Sequence, residues 1–238
     1  MVPSPHGQGT GAARRRILSP PRGKAILSPA KTPSSRLTSR REVAAGLRQR
    51  FGWADPASPD SRPALVLLSG LPGTGKSHLA ESLASRFPLV VLRSDEVRKA
   101  LYQSPQYTTS ENAHVYLTCY ALIDSLLRDH YGVIFDATNL MKRGRGEARR
   151  LAAAAGATFV LLVTTSPPDV VAERLRQRAA GRSENYSSDA DWGVHEKLAG
   201  TMESISGERE PAVLVDTSVT LQPAFDAVQR ILSASPPP

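Results

Sequence analysis

Five short apolar runs punctuate the chain: Ala64–Ser69 (ALVLLS), Leu89–Leu92 (LVVL), Gly132–Asp136 (GVIFD), Thr158–Thr164 (TFVLLVT) and Ala212–Asp216 (AVLVD). None alternates polar with apolar residues, so each predicts a strand buried on both faces. Stretches of helical spacing separate them: Ser77–Arg86, a segment opening at Ser94-Asp95, Ser110–His130, the basic stretch Lys142–Arg150, Val170–Ala180, Asp189–Ile205 and Pro223–Ser233. Ser94 or Asp95 is the expected cap of its helix, and Pro167-Pro168 opens another. Strand and helix in alternation predict a parallel sheet with right-handed crossovers and helices on both faces.

Upstream of the first run this pattern is lost. Residues 1–62 are rich in Pro, Ser, Gly and Arg and hold 12 Lys+Arg against three acids, Glu42, Asp55 and Asp60. Such a composition cannot bury enough apolar surface to offset chain entropy, so disorder is expected to about residue 40. A short helix is predicted at 41–51, where Val43, Leu47 and Phe51 fall at i, i+4 and i+8. The expected organisation is a basic arm, 1–62, followed by one domain, 63–235.

Composition sharpens this division. The 238-residue chain nets +8, yet residues 63–238 carry 18 basic and 19 acidic side chains, so the excess belongs to the arm. Three readings of the arm stay open: an organelle transit peptide, a basic tether for nucleic acid or an acidic surface, and a solvated tail. A repeated ILSP places Ser19 and Ser28 before proline, with Arg22 and Lys31 three residues on. That spacing resembles targets of proline-directed kinases. A hydrophobic content of 40% suffices for a core, and the single Cys119 excludes an intramolecular disulfide or a cysteine zinc site. No run approaches the roughly 18–20 apolar residues of a bilayer span. The expected setting is soluble and cytoplasmic.

The chemistry begins directly after the first strand. Gly70–Ser77 reads GLPGTGKS and satisfies G-x-x-x-x-G-K-[ST] without a mismatch. Gly70, Gly73 and Gly75 let the backbone curl so that successive N–H groups face phosphate oxygens. Leu71, Pro72 and Thr74 complete the loop, Lys76 is suited to the β- and γ-phosphates, and the Ser77 hydroxyl to Mg²⁺. His78 follows in the helix whose positive end faces the same phosphates. Asp95, after the second strand, is placed to take a proton from an acceptor hydroxyl; a capping residue paired with Arg98 is the alternative. Asp136 ends the third strand as an acidic Mg²⁺-ordering residue does, or simply starts an Asx turn. His114 and Cys119 read as surface and packing residues. Lys142, Arg143, Arg145, Arg149 and Arg150 form either a solvated face or one that steers an anion. Arginines just before the polar stretch 183–188 suit a lid over the phosphates.

Together SGLPGTGKS (69–77), SDEVRK (94–99), VIFDATNL (133–140), ERLRQR (173–178), SDADW (188–192) and VDTS (215–218) carry a resemblance. The chain resembles the P-loop kinase group of polynucleotide 5′-kinases, zeta toxins and chloramphenicol phosphotransferase, and within it small bacterial-type predicted kinases. These motifs span about 150 of the 176 residues after position 62. The resemblance implies a P-loop NTPase fold, three-layer α/β/α with a five-stranded parallel sheet, and transfer of the ATP γ-phosphate to a hydroxyl with Mg²⁺. It also implies that Asp95 is the general base, that Arg98 holds the acceptor, and that Asn139 lies near the acceptor or γ-phosphate. Arg174, Arg178 and Arg182 would be lid arginines, Arg178 with a catalytic part. The long basic arm departs from the group. An ATP-dependent kinase acting on a small molecule or a nucleic-acid 5′-hydroxyl is the leading expectation. The alternatives are a nucleotide-binding regulatory module and a nucleic-acid binder acting through its arm; an oligomeric AAA+ motor is disfavoured because no helical lid domain fits.

Overall fold

A computed structural model of the chain describes residues 40–53, 62–180, 191–206 and 212–233. Expectations for residues 1–39, including Ser19 and Ser28, and for Arg182 lie outside the described residues.

Five strands, β1 (Ala64–Ser69), β2 (Leu89–Arg93), β3 (Gly132–Asp136), β4 (Thr158–Thr165) and β5 (Val213–Asp216), form one parallel sheet in the order β2-β3-β1-β4-β5. Every residue of β1 is buried. Leu65 and Leu67 pack on one side with Val133, Phe135, Leu161 and Val163, whereas Val66 and Leu68 pack on the other with Ile134, Val160, Leu162 and Val215. The absence of polar alternation in the sequence therefore has a direct physical cause: both faces of the central strand are covered.

Helices α1 (Arg40–Phe51), α4 (Thr109–Arg128) and α5 (Lys142–Ala154) cover the first face. Ala44 and Leu47 of α1 share that core with Val115, Leu122 and Leu126 of α4 and with Leu151 of α5. The predicted short helix is thus packed on the sheet-covering layer, with Arg48 held by Asp129 and by Ser125 Oγ at 3.2 Å. The second face is covered by α2 (Lys76–Arg86), through Leu79 and Leu83, and by α8 (Gln222–Ser233), through Ala224, Ala227 and Val228.

Three expectations change at element ends. α3 (Ser94–Leu101) has Arg93 at its N-cap position and no side-chain cap, because Ser94 and Asp95 are already inside the helix. α6 runs over Pro168–Ala179. α7 is only Trp192–Ala199 rather than a helix to Ile205; beyond it, the Glu203 N–H is taken by the Leu140 carbonyl instead of continuing the helix. His114 is exposed and hydrogen-bonded to the Tyr102 hydroxyl at 2.7 Å, while Cys119 is buried. No helix among the described residues is long and apolar enough to cross a membrane.

Parallel pairing brings the carboxyl ends of the strands to one edge, where Arg93 stands in register with Asp136 and Ser69 with Val163. Fully buried Phe135, ringed by Tyr116 and Tyr120 at 6.0 and 6.2 Å, anchors that edge. Phe135→Ala is expected to cost about 3–5 kcal/mol, read as a lower urea midpoint with an unchanged slope. A loss below about 1 kcal/mol would show that the edge does not depend on this ring.

Candidate active site

After Ser69 the chain turns through Gly70–Gly75 into α2 with φ of 151°, 83° and 88° at Gly70, Gly73 and Gly75. Space is as restrictive as conformation. A β-carbon on Gly70 would sit 2.4 Å from Thr164 Oγ1, and one on Gly75 would sit 2.5 Å from Thr217 Oγ1. Thr74 Oγ1 donates to the Leu71 carbonyl at 2.8 Å and lies 2.7 Å from Thr164 Oγ1. On the opposite flank, the Gly70 N–H donates to the Thr138 carbonyl at 3.1 Å. The loop is therefore wedged between the ends of β3, β4 and β5.

α2 opens at Lys76 with no side-chain cap and no acid in its first turn. Its leading N–H groups have no carbonyl within the helix, and its dipole adds positive potential at the same point. This is the arrangement that takes an anion, above all a phosphate. Lys76 Nζ folds back onto the Leu71 carbonyl at 2.8 Å. Burial pulls its pKa down to about 8, partly opposed by Asp136 and Asp95 and assisted by the positive charge of Arg178. Lys76, Asp95, Asp136 and Arg178 are thereby brought within electrostatic reach of one another. His78 points to solvent.

Asp136 is almost wholly buried, and Arg93 Nε stands 3.7 Å from its carboxylate. Ser77 follows Lys76 in the first turn of α2, and the Asp136 carboxylate lies within electrostatic reach of the Lys76 ammonium. Oxygen donors of this kind suit a hard divalent cation such as Mg²⁺. Asp95 has its pKa raised, first by desolvation and then by the Asp136 carboxylate, against the opposing pull of Arg98 and Lys76.

The remaining expected residues occupy different positions. Arg98 is committed to α4: Nη1 donates to Glu111 Oε1 at 2.5 Å and Nη2 to Asn112 Oδ1 at 2.7 Å, with the Tyr107 ring 4.7 Å from Cζ. Its buried Nε has no hydrogen-bond partner. Asn139, at φ 43°, gives its Nδ2 to the Leu68 carbonyl at 2.7 Å and takes the Ser69 hydroxyl on its own carbonyl at 3.2 Å. It braces the ends of β1 and β3. Arg174 reaches Ser166 Oγ and Thr217 Oγ1, each at 2.9 Å, and the Thr217 carbonyl at 3.1 Å. It holds the β5 end beside the loop. The basic stretch of α5 divides: Arg150 pairs with Glu147 on the surface, whereas Arg145 is fully buried and donates to the carbonyls of Leu140 at 2.6 Å and Ser204 at 3.1 Å.

Three contributors were not foreseen, Arg93, Glu111 and His195, and Arg145 was expected on a basic face rather than buried. Glu111 had a visible signal, since Thr108-x-x-Glu111 has capping-box spacing. Thr108 does accept the Glu111 N–H at 3.2 Å, but the carboxylate is diverted to Arg98 and to the N–H groups of Gln106 and Tyr107 at 2.7 and 3.1 Å. Tyr107, one of these donors, has φ 54°. His195 of α7 places Nδ1 2.7 Å from the Pro72 carbonyl, with Trp192 stacked on its ring at 5.0 Å and 7°. Asp191 caps α7 by accepting the Val194 N–H at 2.9 Å. α7 thus lies against the phosphate loop.

Fold and site together define a P-loop kinase-type domain. The chain belongs to the AAA domain family, whose model matches residues 65–205. An adenylyl-sulfate kinase of Myxococcus xanthus is 30% identical over 171 residues, covering 69% of this chain and 84% of the kinase. An uncharacterised Mycobacterium tuberculosis protein is also 30% identical, over 63% of this chain, but the match spans only 33% of that longer protein. Among solved structures, the Mycobacterium tuberculosis APS kinase CysC in complex with AMPPNP and APS shares the fold at 19% identity. Its TM-score is 0.52, covering 73% of this chain and 99% of that one.

Burial opposes ionisation of Glu111, but the Gln106 N–H, Arg98 and the Tyr107 N–H outweigh it and hold the carboxyl below its usual range. The lowered pKa makes the clasp complete above the ordinary Glu range near ~4.3 and lost as pH falls through the folded value. The amide resonances of Gln106 and Tyr107 are expected to titrate together with a midpoint below that range. A midpoint at or above it would sink this account.

Proposed function

We propose that the chain is an ATP-dependent phosphotransferase that moves the γ-phosphate to a hydroxyl acceptor, with residues 63–235 as its kinase domain. One observation carries the reading. An uncapped helix end and Lys76 face two carboxylates, Asp95 and Asp136, from the ends of neighbouring strands. A phosphate site alone would serve binding; a second carboxylate beside it serves proton transfer.

In this reading, Gly70–His78 hold the triphosphate and Lys76 neutralises charge on its β- and γ-groups. Ser77 and Asp136 would hold Mg²⁺, which would draw negative charge from the transferring phosphate. The acceptor oxygen attacks the γ-phosphorus as the bond to the bridging oxygen breaks to leave ADP, and Asp95 receives the hydroxyl proton. Its raised pKa suits a group that must hold a proton during the step. Arg178, close enough to depress the Lys76 pKa, adds positive charge where the transferring group carries negative. Arg174 positions the loop from behind through Thr217. Arg98 acts on the acceptor side as a fixed wall held by Glu111.

Two substitutions test this. Lys76→Ala is expected to lower kcat by on the order of 100-fold or more while the protein stays folded. Asp95→Asn is expected to lower acceptor-dependent phosphate transfer by roughly 10²–10⁴-fold with nucleotide affinity within a few-fold of the parent. Near-parental transfer by Asp95→Asn would remove it as the base. Release of ADP that no hydroxyl compound stimulates would favour a nucleotide-driven regulatory module over a kinase.

A further inference from the structure

The wall beyond Asp95 is built from α3, the 102–108 connection and the start of α4. Tyr116, whose hydroxyl lies 3.2 Å from Thr138 Oγ1, is close enough to Asp95 to feel its charge. Two guanidinium groups stand on this side, and carboxylates already occupy both. Arg93 gives Nη1 to Glu96 and Nη2 to Glu81, each at 3.1 Å, with Asp136 at 3.7 Å from Nε. Arg98 spends Nη1 on Glu111 and Nη2 on Asn112, and the Tyr107 ring lies over its Cζ.

Recognition of a phosphate, sulfate or carboxylate by arginine relies on the two-pronged edge of the guanidinium. In both arginines each terminal nitrogen is already engaged by a neighbouring side chain. Arg98 retains a single buried nitrogen, Nε, without a partner. One N–H matches one lone pair of a neutral oxygen. Lys99 is solvent-exposed, so its charge is screened by water. On this wall, among the described residues, an anionic acceptor would therefore meet the Asp95 carboxylate beside guanidinium groups that are already paired.

We propose that the acceptor is an uncharged alcohol, selected against anionic hydroxyl compounds by arginines that are already neutralised by Glu111, Glu81 and Glu96. The inference rests on the kinase reading above and adds its substrate class. It separates this chain from a kinase whose acceptor is adenylyl sulfate, an anion by its chemistry.

The test uses the full chain with Mg-ATP at fixed ionic strength and matched acceptor pairs. The pairs are adenosine against adenosine 3′-monophosphate and against adenylyl sulfate, uridine against uridine 3′-monophosphate, and glucose against gluconate. ADP release and labelled phosphate on the acceptor are both read. In every pair turned over, the neutral member is expected to have the higher kcat/KM by about tenfold or more, the scale of an uncompensated charge near a carboxylate. A preferred anionic member, adenylyl sulfate included, overturns the proposal and leaves the kinase reading standing. No transfer to any member, with ATP still bound, counts against the kinase reading and this inference together. Glu111→Gln removes the charge that neutralises Arg98, and Asn112→Leu, a milder change, frees only Nη2. A folded variant of either kind is expected to narrow the neutral-over-anionic ratio several-fold; an unchanged ratio in both also overturns the proposal.

Discussion

Steric exclusion at two glycines governs the geometry of this molecule. A β-carbon on Gly70 or Gly75 would fall 2.4 or 2.5 Å from a threonine hydroxyl at the ends of β4 and β5, a separation that atoms do not sustain. With only hydrogen there, the loop after β1 can press against its neighbours and deliver α2 with its first N–H groups uncovered. Lys76 is then carried into a desolvated position where its ammonium is destabilised, its pKa falling to about 8. A site that lowers the pKa of its own cation has electrostatic demand for an anion. The same packing that shapes the loop thus creates the need for phosphate.

The carboxylates follow from the sheet rather than from the loop. Because all five strands run parallel, Asp136 at the end of β3 and Asp95 just beyond β2 arrive on the same edge as Lys76. Burial raises the Asp95 pKa first, and the nearby Asp136 carboxylate raises it further against the pull of Arg98 and Lys76. Arg93 stands in register with Asp136 but shares its charge among three acids. Overall charge says nothing of this. Residues 1–62 hold 12 basic against three acidic side chains, while residues 63–238 hold 18 against 19.

The layered sheet and phosphate loop were legible because each rests on local signals: apolar runs without alternation, and glycines at fixed offsets before Lys-Ser. Less legible were contacts decided by geometry between distant segments. Arg98 looked like a partner for Asp95 at i+3 spacing, yet α4 presents Glu111 and Asn112 from 13 and 14 residues away, and these outcompete it. Arg145 looked like part of a basic surface stripe, yet the turn after β3 exposes carbonyls that only a buried multi-donor side chain can satisfy. The predicted helix to Ile205 stops at Ala199 for a similar reason, since Leu140 captures the Glu203 N–H. In each case a helical or surface preference worth tenths of a kcal/mol yields to a hydrogen bond worth about 1.

These long-range bonds also link the two sides of the site. α7 meets the phosphate loop through His195 and Pro72, and the segment after it is fastened to the turn behind Asp136 by Glu203 and Arg145. That turn contains Asn139, whose side chain is itself pinned to Leu68 at the base of the loop. The contacts close a circuit: loop to α7, α7 to the β3 turn, and β3 turn back to β1. A side chain in such a circuit is fixed from more than one direction, so its contribution is not additive with that of its neighbours. Arg145 touches no reacting group in the proposed chemistry, but it joins the segments that hold Lys76 and Asp136. Its burial is therefore explained by positioning, because no surface role requires a guanidinium to surrender all contact with water.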